Sequence, residues 1–131
     1  MTSVADTRLL LTLEFPPNAA VKKRIEELAQ KEIARHLLAP SIILTEFIKI
    51  AGARLGEDGA RTRLGLLRDR GMRTSSLGEE EALIAGGLLL AHRNVPIADA
   101  LVASYARIGA AEYVVSDDPH YRILGVKTKW I

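Results

Sequence analysis

The chain has 131 residues, enough for one domain with a hydrophobic core, and 48% of them are apolar while 26% are charged. This balance argues against disorder, and the lack of cysteine excludes a disulfide framework, a zinc–thiolate site and a thiol nucleophile. The net charge of +2 permits an anionic partner without requiring one. The first residues lack a secretory leader pattern, and the longest apolar run, 82–91, is too short to cross a bilayer. We therefore expect a cytoplasmic protein with no membrane partner.

The first half of the chain predicts one strand followed by helices. Ser3-Val4-Ala5 reads as a short strand that ends at Asp6, and one or two helical turns follow before Pro16-Pro17. Asn18 is a favourable N-cap for a helix that runs to about Leu38, and Pro40-Ser41 restarts the chain. Two further helices are expected at 42–55 and, with a basic surface, at 57–70.

The second half predicts more helices and short strands. Residues 73–75 read as a second strand, and Ser76 with Glu79 matches a capping box that opens a helix. That helix, 80–92, is apolar almost all round, so we expect it to be heavily buried, with Gly86-Gly87 close to another backbone. We also expect part of this helix, or its neighbours, to contribute to a two-fold symmetric dimer. Pro96 opens a helix to Ile108, and then come a strand at 113–115, a helix start and an edge strand at 125–130. The sequence thus predicts a three-layer α/β/α sandwich with a short, mostly parallel central sheet in a single domain, 1–131.

Four carboxylates lie where a pocket forms in such a fold. Asp6 and Asp118 follow strands, Asp99 lies in the first turn of a helix, and Glu46 lies at the margin of an apolar helix face. The carboxyl ends of parallel strands and the neighbouring helix N-termini share one rim, where these folds bind ligands. Carboxylates held close together repel each other, and a hard divalent cation relieves that repulsion. Such a site activates water for phosphodiester hydrolysis.

Each acid also has an ordinary structural explanation. Asp99 complements the helix macrodipole, and Asp118 before Pro119 is typical of an N-cap. Glu46 fits a boundary position, and Asp6 fits a turn at a strand end. Residue by residue, the two interpretations are about equally supported.

The order and local context of the four acids resemble the PIN-domain family, particularly its small VapC-type toxin ribonucleases. The motifs are an aspartate after the first strand (5–7) and a helical glutamate in an apolar segment (43–47). An Ala-Asp-Ala-Leu helix start follows at 98–101, and a strand ending in Ser-x-Asp-x-x-aromatic lies at 116–121. The resemblance covers essentially the whole chain.

The resemblance implies a metal-dependent endoribonuclease that is the toxin of a toxin–antitoxin pair. It implies RNA as substrate, Mg²⁺ or Mn²⁺ as cofactor, a homodimer and a cognate antitoxin. Ser116 would support a carboxylate by a hydrogen bond. Asp117 adds an acid beside Asp118, and the motif register favours Asp118 as the ligand. The implied catalytic and metal-binding acids are Asp6, Glu46, Asp99 and Asp118.

Other residues and functions remain in competition with this interpretation. His120 falls inside the fourth motif, but a surface role is favoured over ligation. A receiver-type signalling module also clusters acids around Mg²⁺, but its late lysine would have to be Lys127 or Lys129, too near the end of the chain. A PIN fold that binds RNA without cleaving it is a third possibility. The candidate RNA-binding residues are Arg8, which makes the pocket edge more cationic, and Arg61, Arg63, Arg68 and Arg73, for which a solvated helix face is the simpler explanation.

Overall fold

A fully parallel sheet of five short strands runs through the molecule in the order β3-β2-β1-β4-β5, as the computed structural model of residues 1–131 shows. Seven helices connect and cover the strands. The elements are β1 (Ser3–Ala5), α1 (Thr7–Glu14), α2 (Ala19–Ala34), β2 (Leu37–Pro40), α3 (Ser41–Leu55), α4 (Glu57–Asp69), β3 (Arg73–Ser75), α5 (Glu79–Ala91), α6 (Ile97–Arg107), β4 (Val114–Val115), α7 (His120–Ile123) and β5 (Thr128–Lys129).

The strand order explains how the helices form layers on the sheet. The chain steps in one direction from β1 to β3 and then crosses to β4 and β5 on the other side of β1. Because parallel crossovers are right-handed, these two directions place α1–α4 on one face and α5–α7 on the other. Contacts of α1 with α2 and α3, and of α6 with α5 and α7, agree with this arrangement. The predicted α/β fold with a parallel sheet is confirmed.

The central strands fix the position of the site. Val4 pairs with Leu38 of β2 and with Val114 of β4, and Ala5 pairs with Val115. The sheet order reverses between β1 and β4, and ligands of open α/β sheets bind in the crevice beyond the strand ends at such a point. Receiver-type domains have the order 2-1-3-4-5, so this topology rules out the signalling alternative.

Strand β2 was not predicted, and the prediction that α2 extends to about Leu38 is wrong. The helix ends at Ala34, and His36 has a backbone φ of +83°, a left-handed conformation that histidine tolerates better than most residues. The carbonyl of His36 then accepts a hydrogen bond from the N–H of Ser3 at 3.0 Å, and β2 enters the sheet from there. Tertiary pairing with β1 and β3 makes these four residues a strand.

The start of α5 also differs from the prediction. The helix begins at Glu79, its N-cap is Gly78, and no side chain caps it, so the Ser76 capping box does not form. Three glutamates, Glu79–Glu81, occupy its first turn and complement the helix dipole instead.

The outer face of α5 is exposed, and the prediction of heavy burial within the chain is wrong. Ala85 is the only buried residue of the helix, while Leu83 and Leu90 are each 70% exposed. The predicted close contact at Gly86-Gly87 is absent within the chain, since a side chain at either glycine would meet open space. Leu83, Gly86, Gly87 and Leu90 lie on one helical stripe, because they are spaced by three, four and seven residues. Contiguous apolar surface of this kind is typical of an interaction site.

None of the helices is both long enough and apolar enough to span a membrane.

The exposed stripe of α5 predicts that the chain forms a two-fold dimer through this helix. Replacing Leu83 and Leu90 with lysine should convert the dimer into a monomer, because the two charges cannot be buried against their symmetry mates. Light scattering at micromolar concentrations measures the mass directly. The matched control is Leu66→Lys, at an exposed leucine of α4, which should leave the mass unchanged. A monomeric parent protein would contradict the prediction.

Candidate metal centre

Asp6 and Ser116 meet at the carboxyl ends of β1 and β4. Asp6 follows β1 directly and is 5% exposed, and Ser116 follows β4 and is 1% exposed. The Ser116 hydroxyl donates a hydrogen bond to Asp6 Oδ2 at 2.9 Å, and the backbone N–H of Thr7 donates one to Asp6 Oδ1 at 2.8 Å. Asp6 is therefore both the N-cap of α1 and a carboxylate held by two donors.

Thr7 links a second acid to Asp6. Its hydroxyl donates a hydrogen bond to Glu46 Oε1 at 2.6 Å, which brings the half-buried carboxylate of α3 to the start of α1. Thr7 itself is 7% exposed. The sequence analysis did not assign Thr7 a role of its own, although it stands within the first motif.

Asp99 and Asp118 form a compact group with His120. The Nδ1 atom of His120 lies 2.8 Å from Asp99 Oδ2 and 2.8 Å from Asp118 Oδ1. The three atoms all lie within 4.8 Å of one another. Asp118 is fixed locally, since its N–H donates to the Ser116 hydroxyl at 3.0 Å and its Oδ1 accepts from the His120 N–H at 2.9 Å. The expected surface role of His120 is therefore wrong, because its imidazole faces the acids.

Asp117 makes a different contact. Its carboxylate accepts two hydrogen bonds from the Arg8 guanidinium, at 2.9 Å from Nε and 3.3 Å from Nη2. Both side chains are solvent-accessible, 59% exposed for Arg8 and 37% for Asp117. The two residues that depart from the family motif are thus engaged with each other, and Asp118 is the member of the acid pair that lies beside Asp99.

The buried acids hold unfavourable negative charge. Burial raises the pKa of Asp6, with a smaller contribution from the charge of Asp118. Burial, followed by the charges of Asp6 and Asp99, also raises the pKa of Tyr121, so its buried phenol stays protonated. For Asp99, burial and then the charges of Asp6 and Asp118 raise the pKa to about 7. Binding of a proton or a cation would reduce the repulsion among these carboxylates.

The candidate RNA-binding arginines of α4 and β3 are exposed and have different neighbours. Arg61 pairs with Glu57 at 2.9 Å, and Arg63 pairs with Glu14 at 2.7 Å. Arg61 and Arg68 line a groove of about 400 Å³ between α3 and α4, together with Thr45, the residue before Glu46. Arg73 lies on the edge strand β3. Glu46 itself does not line this groove.

A family model of the PIN domain matches residues 4–126, so the chain belongs to the PIN domain family. No curated protein sequence matches the chain significantly.

The similar solved structures include a toxin and toxin–antitoxin complexes. VapC20 of Mycobacterium tuberculosis, described as a Sarcin-Ricin loop cleaving toxin, is 16% identical with a TM-score of 0.77, over 96% of each chain. VapBC2 of Rickettsia felis, bound to a DNA fragment from its promoter, is 16% identical with a TM-score of 0.74, over 99% of this chain and 98% of that one. The DNA-bound VapBC of Salmonella typhimurium is 19% identical with a TM-score of 0.71, over 99% and 98%. At these identities the likeness establishes the fold.

The raised pKa of Asp99 predicts how the stability of the metal-free protein depends on pH. The folded state keeps a proton on Asp99 up to about pH 7, whereas the ordinary pKa is 3.8. Between these values the folded protein binds more protons than the unfolded chain, so its free energy of unfolding should fall as the pH rises from about 4 to about 7. Asp99→Asn should flatten this fall, and Asp69→Asn, at an exposed position near the end of α4, should not.

Urea unfolding of the three proteins at pH 5 and pH 8 with EDTA measures this effect. If the free energy of unfolding changes with pH equally in the parent protein and in Asp99→Asn, the pKa of Asp99 is not raised in the folded state.

Proposed function

We propose that this PIN domain is a metal-dependent endoribonuclease, the toxin of a VapBC-type toxin–antitoxin pair. The observation that carries the proposal is the convergence of Asp6, Asp99 and Asp118 at the crevice between β1 and β4. Glu46 is joined to this group through Thr7. Three acids of the family motif thus lie near enough to interact electrostatically, and the fourth, Glu46, is connected to them only through the Thr7 hydroxyl.

The residues at this place fit a divalent cation. Asp99 Oδ2 and His120 Nδ1 are buried and have no hydrogen-bond partner, although buried polar atoms are almost always paired. A cation would satisfy both atoms and neutralise the repulsion that raises the pKa of Asp99. Asp6, Glu46, Asp99 and Asp118 would hold Mg²⁺ or Mn²⁺, whose ligands are mostly oxygen atoms. When bound, the ion supplies water activation and neutralises charge on the phosphate.

The surrounding residues have separate tasks in this proposal. Thr7 and Ser116 orient Glu46 and Asp6 through the hydrogen bonds at 2.6 and 2.9 Å. Asp99 binds a proton near neutral pH in the metal-free protein and releases it when the ion binds. Arg8, held by Asp117 at the rim, and Arg61 and Arg68 in the adjoining groove offer positive charge to RNA phosphates.

The proposed partners follow from the similar structures and from the exposed face of α5. The similar structures include DNA-bound VapBC of Rickettsia felis and of Salmonella typhimurium, and a toxin–antitoxin complex of Klebsiella pneumoniae. We therefore propose a cognate antitoxin that covers the acidic crevice, and a homodimer of the chain through α5. VapC20 cleaves the Sarcin-Ricin loop, and RNA is accordingly the proposed substrate class here.

The first prediction of this proposal concerns RNA cleavage and its ligands. The purified protein should cut RNA with Mg²⁺ or Mn²⁺ and stop with EDTA. Asp99→Asn and Asp118→Asn should lower the rate by about 100-fold or more, because loss of a ligand should cost at least as much as loss of a group that supports a ligand, which costs about 10–100-fold. Asp117→Asn is the matched control and should retain activity, because its carboxylate contacts Arg8. Undiminished cleavage in EDTA would exclude the metal mechanism.

The same variants separate chemistry from stability. Asp99→Asn should leave the melting temperature without metal unchanged or higher, and should shrink the stabilisation by Mg²⁺, because binding to the folded state adds stability by mass action. If Asp99 only complements the dipole of α6, the variant should instead lose about 0.3–1 kcal/mol and keep its Mg²⁺ response and activity. A protein that binds metal and RNA but does not cut would indicate the non-catalytic alternative.

The second prediction concerns the arginines. Replacing Arg61 and Arg68 with glutamine should weaken RNA binding and make it less dependent on salt, since each phosphate contact releases counterions. Arg63→Gln should change binding little, because Arg63 does not line that groove and lies beside Glu14 instead. Filter binding at several salt concentrations measures both effects. Equal losses in all variants would mean that α4 attracts RNA only through its net charge.

A further inference from the structure

The imidazole of His120 is fixed beside the two acids by the start of α7. His120 is the first residue of that helix, and its N–H is bound to Asp118 Oδ1 at 2.9 Å. The side chain is 35% exposed, so the ring reaches from the solvent to Asp99 and Asp118. Its Nδ1 atom lies 2.8 Å from an oxygen of each acid.

These two short contacts have poor hydrogen-bond geometry, although the interaction with His120 lowers the pKa of Asp99. Nδ1 has no hydrogen-bond partner, and neither has Asp99 Oδ2, although both atoms are buried. A protonated imidazole that served as a counter-ion would direct its N–H at one of the carboxylates. Here the nitrogen is equidistant from both acids, so a cation that enters between the acids would find Nδ1 placed as a third ligand.

The spacing suits ligands of one ion. Two atoms on adjacent corners of an octahedron, each about 2.1 Å from its centre, lie roughly 3 Å apart. The two distances of 2.8 Å between nitrogen and oxygen are close to this value. The full group of Asp99, Asp118 and His120 is compact enough to surround a single cation.

We propose that His120 is a nitrogen ligand of the metal centre and makes it prefer Mn²⁺ to Mg²⁺. The inference rests on the metal-binding part of the proposed function. Mg²⁺ is a hard ion that takes oxygen ligands. Imidazole suits first-row transition metals such as Zn, Cu, Fe and Ni, and of the two candidate ions only Mn²⁺ belongs to that row, although it also accepts oxygen ligands. Four carboxylates alone bind either ion, and the imidazole adds a donor that only Mn²⁺ uses well.

His120→Asn tests the preference, because the asparagine oxygen takes nearly the place of Nδ1 and so exchanges nitrogen for oxygen. The Kd for Mn²⁺ is measured by the electron paramagnetic resonance of the free ion, and the Kd for Mg²⁺ by calorimetry. We expect the Kd for Mn²⁺ to rise at least tenfold and the Kd for Mg²⁺ to change less than threefold. His92→Asn is the matched control, since His92 lines the same groove as His120 but lies outside the metal-ligand group.

The possible outcomes are distinct. Equal changes for both ions, or none for either, would overturn the role of His120 as a nitrogen ligand while leaving the nuclease proposal intact. A parent protein that binds neither ion would overturn both proposals. If Asp99→Asn weakens the binding of both ions and His120→Asn weakens the binding of Mn²⁺ alone, the carboxylates bind either ion and the imidazole sets the preference for Mn²⁺.

Discussion

The parallel pairing of β1 with β4 is the contact on which the rest of the site depends. It places Asp6 beside Ser116, two residues separated by 110 positions, and closes a buried hydrogen bond between them. The paired residues Val4, Ala5, Val114 and Val115 are completely buried, so the surrounding core leaves this register little freedom. Because the sheet order reverses here, the same pairing opens the crevice in which the acids lie.

The acids of the site accept different numbers of hydrogen bonds, and this difference sets their pKa values apart. Asp6 receives two donors that oppose the effect of burial, and Asp118 accepts a backbone N–H. Asp99 is also buried, but its Oδ2 has only the poorly aligned contact with His120, and its pKa is the one raised to about 7. Asp99 is thus the acid of the cluster whose charged form is most disfavoured. Strongly shifted pKa values of this kind are typical of residues at functional sites.

The parts of the structure that the sequence predicts are those with a strong local signal. Strands β1 and β3 begin and end as expected, and α6 follows Pro96 as expected. Strand β2 has four residues and no turn signal before it, and only pairing with its two neighbours defines it. The composition of α5 shows that the helix is apolar. Composition cannot tell whether the surface that packs against this helix belongs to the same chain or to another one. The spacing of residues does not specify the direction of a side chain, so the contact of His120 with the acids could not be predicted. The four acids could be selected because their order matches the family motif.

The long separation between Asp6 and the segment 116–118 also has a consequence for protein synthesis. The ribosome completes β1 and α3 well before β4, and α6 shortly before it, and β4 lies between β1 and β5 in the finished sheet. Until β4 emerges, β1 has an open side, Asp6 lacks the Ser116 hydroxyl, and Asp118 does not yet exist in the chain. A nascent chain that lacks β4 therefore lacks both Ser116 and Asp118, and the four acids can come together only after this segment has been synthesised.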